Sequence, residues 1–518
     1  LSAAMTLQTI LTAVTAVRVS RRVAVIGGGS GGVVTARFLK RAGHSATLFE
    51  AGSAFGGVWA DDPTNDVVYQ GLQTNLPTVV MQSPDLDFEP GVPSYIDKRA
   101  LGRYITRYAD EFGVAQLAQF GATVTSVTPT ADDRGWEVKW TCDGATQSAN
   151  FDAVVVANGH YDKPFVPSLP GEGEWLAGDA SRSIVHSRRF DDPAEFAGQS
   201  VLVVGGRSSG VDIARMLNGV ASWVYVLEKK CEAAVTHENQ AVTHVPLGTR
   251  LCADGRLRVG GDGNSGGGGA GAAKEPPAEP VPGPPVQRVI LATGFEYSFP
   301  FLDEAAVGMV FKGKRYVTPL YQHMLHVSRP SLGFVGVPLA VPCPIPYFEC
   351  QAYFMAEHLA RGGGGGSGDG SGDEMTTEEE RARWMEQRME AVGFETGRPM
   401  DLHFTSAGGG SPWGYMRELL RAVHAARPPP VADDGASADG AATSWVERAD
   451  CLARLETVEA VYSDRGGRYP KLPWHDDAYR RCEYTVDWAR GTWSVDETGA
   501  TRAKRPREQE QEACEAAQ

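Results

Sequence analysis

Two glycine-rich turns carry the most pointed chemistry in this chain. The first, Gly27-Gly28-Gly29-Ser30-Gly31-Gly32, follows the apolar run Arg22 to Ile26 and opens a helical stretch that reaches Arg41. Gly27 permits a tight turn, Gly29 lets a pyrophosphate approach the backbone, and Gly32 lets helix and strand pack closely, so phosphates sit on the helix N-terminus. A second strand, Ala46 to Phe49, ends at Glu50, 18 residues beyond Gly32. A carboxylate there is placed to accept from adenosine ribose hydroxyls. The second turn, Gly205-Gly206-Arg207-Ser208-Ser209-Gly210, stands between a strand from Ser200 to Val204 and a helix from Val211 to Leu217, with a further strand from Trp223 to Leu227. Arg207 occupies the place of the second motif glycine, which predicts a different backbone approach to the phosphates. After that strand, Glu228 favours a free ribose, whereas Lys229, Lys230 and Arg207 favour a 2′-phosphate, so NADPH is the expected coenzyme.

The elements that must position these turns form a strand–turn–helix–strand pattern, used twice. Two such units imply two bound dinucleotides, most economically a flavin paired with a nicotinamide that delivers hydride to it. The expected fold class is α/β, with two dinucleotide-binding (Rossmann-like) domains and the NADP domain inserted in the FAD domain. Two further strands ending in Ala157-Asn158-Gly159 and Ala292-Thr293-Gly294 mark where the chain crosses between them. The division expected is residues 22–164 and 286–480 for FAD and 165–285 for NADP, with a leader at 1–21 and a tail at 481–518. Low-complexity insertions fall at 260–285, 362–373 and 427–444. The first lies between apolar runs Leu257 to Val259 and Val286 to Leu291, and reads as an expanded hairpin loop. A charged helix is expected from Thr376 to Val392, then a packed aromatic cover containing Trp413, Trp445, Trp474, Trp488 and Trp493. The polar end, 503–518, is expected to fray.

Composition excludes several classes. At 518 residues and 42% hydrophobic content the chain can build two domains with ample core. A net charge of −15 argues against a nucleic-acid partner, because phosphate backbones need a concentrated basic face. No run of eighteen apolar residues occurs, so no membrane span is expected. The eight cysteines include no C-x-x-C pair, which fits reduced thiols and removes the dithiol that a flavin disulfide reductase needs. A cytoplasmic location is expected. The alternative is an organelle, since the first 22 residues hold three arginines, many Ser, Thr and Ala and no acid. An oligomer is compatible with everything above. Neither His160 nor His186 has a carboxylate or nucleophile at telling spacing, and His323-x-x-His326 lacks a third ligand, so no acid–base or metal role is expected of them.

Beyond these turns, the chain from about Arg22 to Arg361 resembles the flavin-containing monooxygenase family, most closely its soluble plant and fungal S-oxygenating branch. The resemblance rests on the two glycine turns, Gly56-Gly57-Val58-Trp59, Leu72-Gln73-Thr74-Asn75-Leu76-Pro77, Asn158-Gly159-His160-Tyr161, His186-Ser187-Arg188-Arg189-Phe190, and the run from Ala292 to Phe301. Leu320-Tyr321-Gln322-His323 and Ile345 to Gln351 also look like that family. The resemblance implies FAD and NADPH as cofactors. It places Gly57, Val58, Trp59, Thr74 and Asn75 along the flavin, Asn75 against its reactive face, and Ser209 and Asp212 in the NADP site. It implies that reduced flavin takes up O2 at C4a and that the resulting hydroperoxide oxygenates a soft sulfur or nitrogen, such as a thioether or amine. Asn75 is then the expected catalytic residue, donating a hydrogen bond in a closed site. One departure is plain: the family signature has Phe-x-Gly-x-x-x-His, whereas here Leu176-Ala177-Gly178 begins it and seven residues separate Gly178 from His186. Ending in Phe190, where Baeyer–Villiger enzymes have Trp, the signature makes ketone insertion or N-hydroxylation the alternative chemistry; a nucleotide-binding flavoprotein with impaired turnover is the other.

Overall fold

A computed structural model describes residues 18–61, 67–237, 241–260, 279–361, 375–426, 443–468 and 478–496. The first glycine turn joins strand β1 (Arg22–Ile26) to helix α1 (Ser30–Arg41), and the chain returns along β2 (Ser45–Phe49). With β3 (Ala153–Val156) these strands form the parallel centre of a seven-stranded sheet, completed by Leu320–Tyr321, Leu325–His326, Leu332–Phe334 and Ala118–Gln119. Strand β1 is buried on both faces, as parallel strands are. Val23 and Val25 pack with Phe38, Leu359 and Trp445 on the helical side, while Ala24 and Ile26 pack with Trp136, Trp140 and Phe334 on the other.

The second sheet has six strands, all drawn from between residues 183 and 291. Its parallel strands are β4 (Ser183–His186), β5 (Ser200–Val204), β6 (Trp223–Leu227), β7 (Val242–Val245) and β8 (Arg288–Leu291), and Val235–His237 adds an antiparallel edge. The second turn joins β5 to α2 (Ser208–Leu217), which begins three residues earlier than the apolar pattern suggests. Again the two strand faces divide: Val201 and Val203 meet Ile213, Leu217 and Phe190, and Leu202 and Val204 meet Trp175, Tyr225 and Leu257.

Four expectations are corrected here. Strand β8 pairs with β4 and β5 and so belongs to the second sheet, and the crossing back comes after it, not at 286. The strand Leu257–Val259 pairs with Glu279–Pro280, not with the Val286 to Leu291 run, because Val289, Ile290 and Leu291 are fully buried in the sheet interior. Residues 18–21 are not a loose leader: the Arg18 guanidinium meets Glu357 at 2.7 Å, Val19 donates to Ala360, and Arg21 donates to Leu359. The proposed tail is ordered to Asp496, where Glu483–Asp487 and Thr492–Asp496 form a hairpin that buries Tyr484. Trp474, residues 1–17, and the end from 503 lie outside the described residues.

The charged segment forms a helix, Glu378–Ala391, opened by a capping box of Thr377 and Glu380. Beneath β1 runs the long buried helix α3 (Pro344–Ala360), against α1. Between them, Arg37 donates to Glu349 at 2.8 Å and Asp85 at 2.6 Å, and Glu349 also accepts from Ser83, Tyr108 and Trp445. Every oxygen of this buried pair is answered, as a charge removed from water requires.

Candidate functional site

The two turns are near copies in space. A Cβ added at Gly32 would lie 1.8 Å from the Gly27 carbonyl oxygen, and one at Gly210 would lie 1.7 Å from that of Gly205. Gly27 and Gly205 have φ of +108° and +122° and abut the carbonyls of Ala157 and Ala292, so a side chain is barred there on two counts. Gly29 is different: nothing stands closer than 3.6 Å to its Cβ position, and its backbone is extended. The openness lies above the helix N-terminus, where a phosphate would rest. Arg207, at the matching place in the second turn, has the same extended backbone (φ −98°, ψ −174°). The backbone conformation is therefore alike at the two places, and what differs is the Arg207 side chain, which stands where Gly29 leaves open space.

Glu50 accepts from Gly28 and Gly52 backbone N–H groups, each at 2.6 Å, so its carboxylate braces the first turn. Glu228 stands equivalently beside Gly206, held by His244 at 2.7 Å.

Two cavities meet at these turns. The smaller, about 270 Å³, is lined by Ser30 and Trp59 from the first unit, by Thr74 and Asn75, and by Ser208, Ser209 and Asp212 from the second. The amide of Asn75 makes no hydrogen bond to any described residue. Thr74 is buried, its hydroxyl accepting from Ile96. Gly57, Val58 and Trp59 form a single 3₁₀ turn beside Gly29. The larger cavity, about 760 Å³, runs from Gly205, Gly206 and Arg207 past Glu228, Lys229 and Lys230 to Thr293, Gly294, Arg315, Arg398 and Phe404. Tyr161, Ser208 and Ser209 border both.

Some expected residues serve the connections. Asn158 donates to Ser298, Thr293 donates to Phe165, and Lys163–Pro164 pairs with Phe295–Glu296, so the two crossings run side by side. Gly159, with φ +75°, makes the turn at one of them. Asp212 lines the smaller cavity, yet its oxygens already meet Arg215, Arg480 and Tyr69. The longer stretch before His186 leaves a short helix, Glu172–Gly178, turns and enters strand β4, and His186 is hydrogen-bonded to Gly294 and Arg188. His160 donates through Nδ1 to the Gly336 carbonyl at 3.1 Å, and burial pulls its pKa down to about 4. Among the described residues no metal-holding cluster occurs and no helix is long and apolar enough to cross a membrane.

Sequence reasoning missed Arg315, Arg398 and Arg480. Arg315 lies over the Phe165 ring at 4.6 Å, its Nε buried without a partner, and burial with the nearby Arg207 and Arg398 charges lowers its pKa. Arg207 stacks over Phe404 at 4.9 Å. The segment bearing Arg398 and Phe404 is held down by Arg388, which donates to the carbonyls of Asp401, Leu402, Phe404 and Ala407. No local motif marks any of these arginines, because Arg315 and Arg398 reach the larger cavity, and Arg480 reaches Asp212 behind the smaller one, from distant parts of the chain.

Comparison with known proteins agrees with the geometry. Residues 20–239 match the flavin-binding monooxygenase-like family. The flavin-containing monooxygenase FMO GS-OX-like 6 of Arabidopsis thaliana is 33% identical over 367 residues, covering 66% of this chain and 72% of that protein. Among solved structures, S-allyl-L-cysteine S-oxygenase from Allium sativum superposes with a TM-score of 0.69 at 24% identity, over 90% of this chain and 95% of its own. Tmm from Pelagibacter sp. strain HTCC7211 gives 0.64 at 19% identity, over 91% and 96%. These two likenesses carry the two-domain α/β fold. With its twin turns and the matched family residues, the chain belongs to the flavin-containing monooxygenases and is an FAD- and NADPH-dependent oxidoreductase.

Proposed function

We propose that this enzyme oxygenates a soft nucleophilic sulfur or nitrogen of a small molecule, such as a thioether or amine. The observation that carries the reading is the 270 Å³ cavity in which Ser30, Trp59 and Asn75 face Ser208, Ser209 and Asp212. Residues 22–164, with the chain after Thr293, would hold FAD, and the unit between would hold NADPH. The open position above Gly29 fits a pyrophosphate at the α1 N-terminus, where backbone N–H groups and the helix dipole favour an anion. Arg207, Lys229 and Lys230, with Arg315 and its buried, unanswered Nε, fit the phosphates of NADPH. FAD reduced by NADPH supplies the activation of O2 and the electrophilic oxygen atom.

The chain's own residues do the rest. Trp59, Leu101, Ile105, Val341 and Ile345 give the cavity an apolar lining that excludes water. Asn75 offers an amide N–H there, a fixed donor for developing charge on oxygen. Among the described residues no free general base lines this cavity, because the Asp212 carboxylate is already engaged. A substrate that attacks with its own lone pair needs none, which favours sulfur or nitrogen over groups that must first lose a proton. The S-oxygenating action in the name of the Allium neighbour agrees with this choice.

The test is NADPH oxidation by the purified protein against a panel of thioethers and tertiary amines, with sulfoxide, N-oxide and H2O2 measured together. Oxygenated product formed in step with NADPH consumption is expected. Flavin reduction by NADPH without product from any thioether or amine would overturn the substrate class.

A further inference from the structure

The segment that carries Asn75 is not held by its own unit alone. Tyr69 inserts into the core of the second unit, its ring 5.6 Å from that of Phe190, and its hydroxyl donates to Asp212. Gln70 donates through backbone and side chain to Asp191, at 3.1 and 2.9 Å. Three and four residues on, the carbonyls of Gln73 and Thr74 accept from Arg480 at 3.4 and 3.2 Å. The same Arg480 guanidinium meets both oxygens of Asp212, at 3.2 and 3.4 Å. Its side chain is only 4% exposed and packs against Tyr479.

Asp212 belongs to α2, the helix whose N-terminus forms the second turn. One planar guanidinium therefore ties that helix to the two peptide groups immediately before Asn75. A guanidinium suits this task because its donors are fixed in a fork; an ammonium is a single point of charge. With the Arg480 side chain only 4% exposed, water does not readily replace these contacts when they are lost.

We propose that Arg480, braced by Asp212, is the positioning residue for Asn75, and so sets how oxygen is partitioned between substrate and H2O2. The proposal rests on the function proposed above. In the coupled path a thioether, O2, NADPH and a proton give sulfoxide, NADP⁺ and water. In the uncoupled path O2, NADPH and a proton give H2O2 and NADP⁺. Arg480 takes no part in either electron transfer; it holds the loop on which the choice depends.

Arg480→Met and Arg480→Lys test this, each against Asn75→Ala and the corresponding double variant. FAD content, NADP⁺ affinity and the rate of anaerobic flavin bleaching by NADPH are expected to stay close to the parent. The ratio of H2O2 to sulfoxide is expected to rise about tenfold in Arg480→Met, the effect of losing charge-assisted contacts. Arg480→Lys, which retains the charge beside Asp212, should fall between. With Asn75→Ala already present, Arg480→Met should add little, because both act through one amide. If Arg480→Met fails to fold, the product ratio of Arg480→Lys decides. A parent-like ratio in a folded Arg480 variant, or full additivity with Asn75→Ala, overturns the proposal. A parent enzyme that makes no oxygenated product overturns instead the function on which it rests.

Discussion

Gly210→Ala tests whether the second turn is a nucleotide cradle. The added methyl would lie 1.7 Å from the Gly205 carbonyl oxygen and 2.8 Å from its carbon. Ordinary non-bonded contact needs about 3.5 Å, so the α2 N-terminus must withdraw by nearly 2 Å or the turn must open. Both atoms are backbone, and Gly205 sits at φ +122° against the Ala292 carbonyl, so neither side yields freely. Overpacking of this kind costs about 1–3 kcal/mol. The same displacement carries the Ser208 and Ser209 N–H groups away from a phosphate and past useful hydrogen-bond distance. Taking about 2 kcal/mol as the loss in the bound state, NADP⁺ affinity should fall roughly 30-fold. FAD content should be retained, because the Gly27 to Gly32 turn follows β1, a strand of the other sheet. Calorimetric titration of the holoenzyme with NADP⁺, with flavin absorbance as the internal control, reads both. An unchanged Kd in a folded variant would refute the cradle, and equal loss of FAD and NADP⁺ would show that the turn supports the whole fold and not one ligand.

Gly29→Ala is the complementary case: its methyl meets nothing within 3.6 Å, so the protein should fold normally while its FAD content falls, and full flavin occupancy would contradict a phosphate at that position. Asn75→Ala should keep flavin reduction but lose about 3 kcal/mol of oxygen-transfer stabilisation, a hundredfold or more in product formation, with H2O2 taking its place; parent-like sulfoxidation would leave Asn75 as a turn residue only. NADPH should be preferred to NADH, and Lys229→Ala with Lys230→Ala should narrow that preference about tenfold, whereas equal kcat/KM for the two coenzymes in the parent would dismiss the lysines. Burial depresses the pKa of His160 to about 4 and of His358 and His403 to about 3. As pH falls below about 6.5 the unfolded chain gains a proton at each of these and the folded chain does not, so stability should decline from there towards pH 4, by about 1.4 kcal/mol per pH unit for each imidazole. His358→Met should shallow the slope of Tm against pH in that window; an unaltered slope would mean that this imidazole is not held neutral.

Much of the nucleotide machinery was legible in the residues because it is local. An apolar run, a glycine turn and an amphipathic helix are adjacent in the chain, and Gly27, Gly32, Gly205 and Gly210 are demanded by contacts within a few residues or across one neighbouring strand. Hence the strands at Arg22–Ile26, Ser200–Val204 and Trp223–Leu227 fall where the pattern puts them. The nesting of the second unit within the first was legible for a similar reason, from Gly159 and Gly294 at the ends of two apolar strands. What the sequence could not decide was partnership across long separations. Leu257–Val259 and Arg288–Leu291 look alike as apolar runs, and only the buried place beside Ser200–Val204 separates one from the other. Residues 18–21 read as part of a leader, and 483–496 as part of a tail despite Trp488 and Trp493, until helix α3 and Ser94 supply their hydrogen bonds. Arg315, Arg398 and Arg480 carry no pattern at all, since a guanidinium on a loop reads the same whether it faces water or a cleft. Arg480 gains its place only when folding brings Asp212 and the Gln73 and Thr74 carbonyls within 3.4 Å of it, across more than 260 residues of chain.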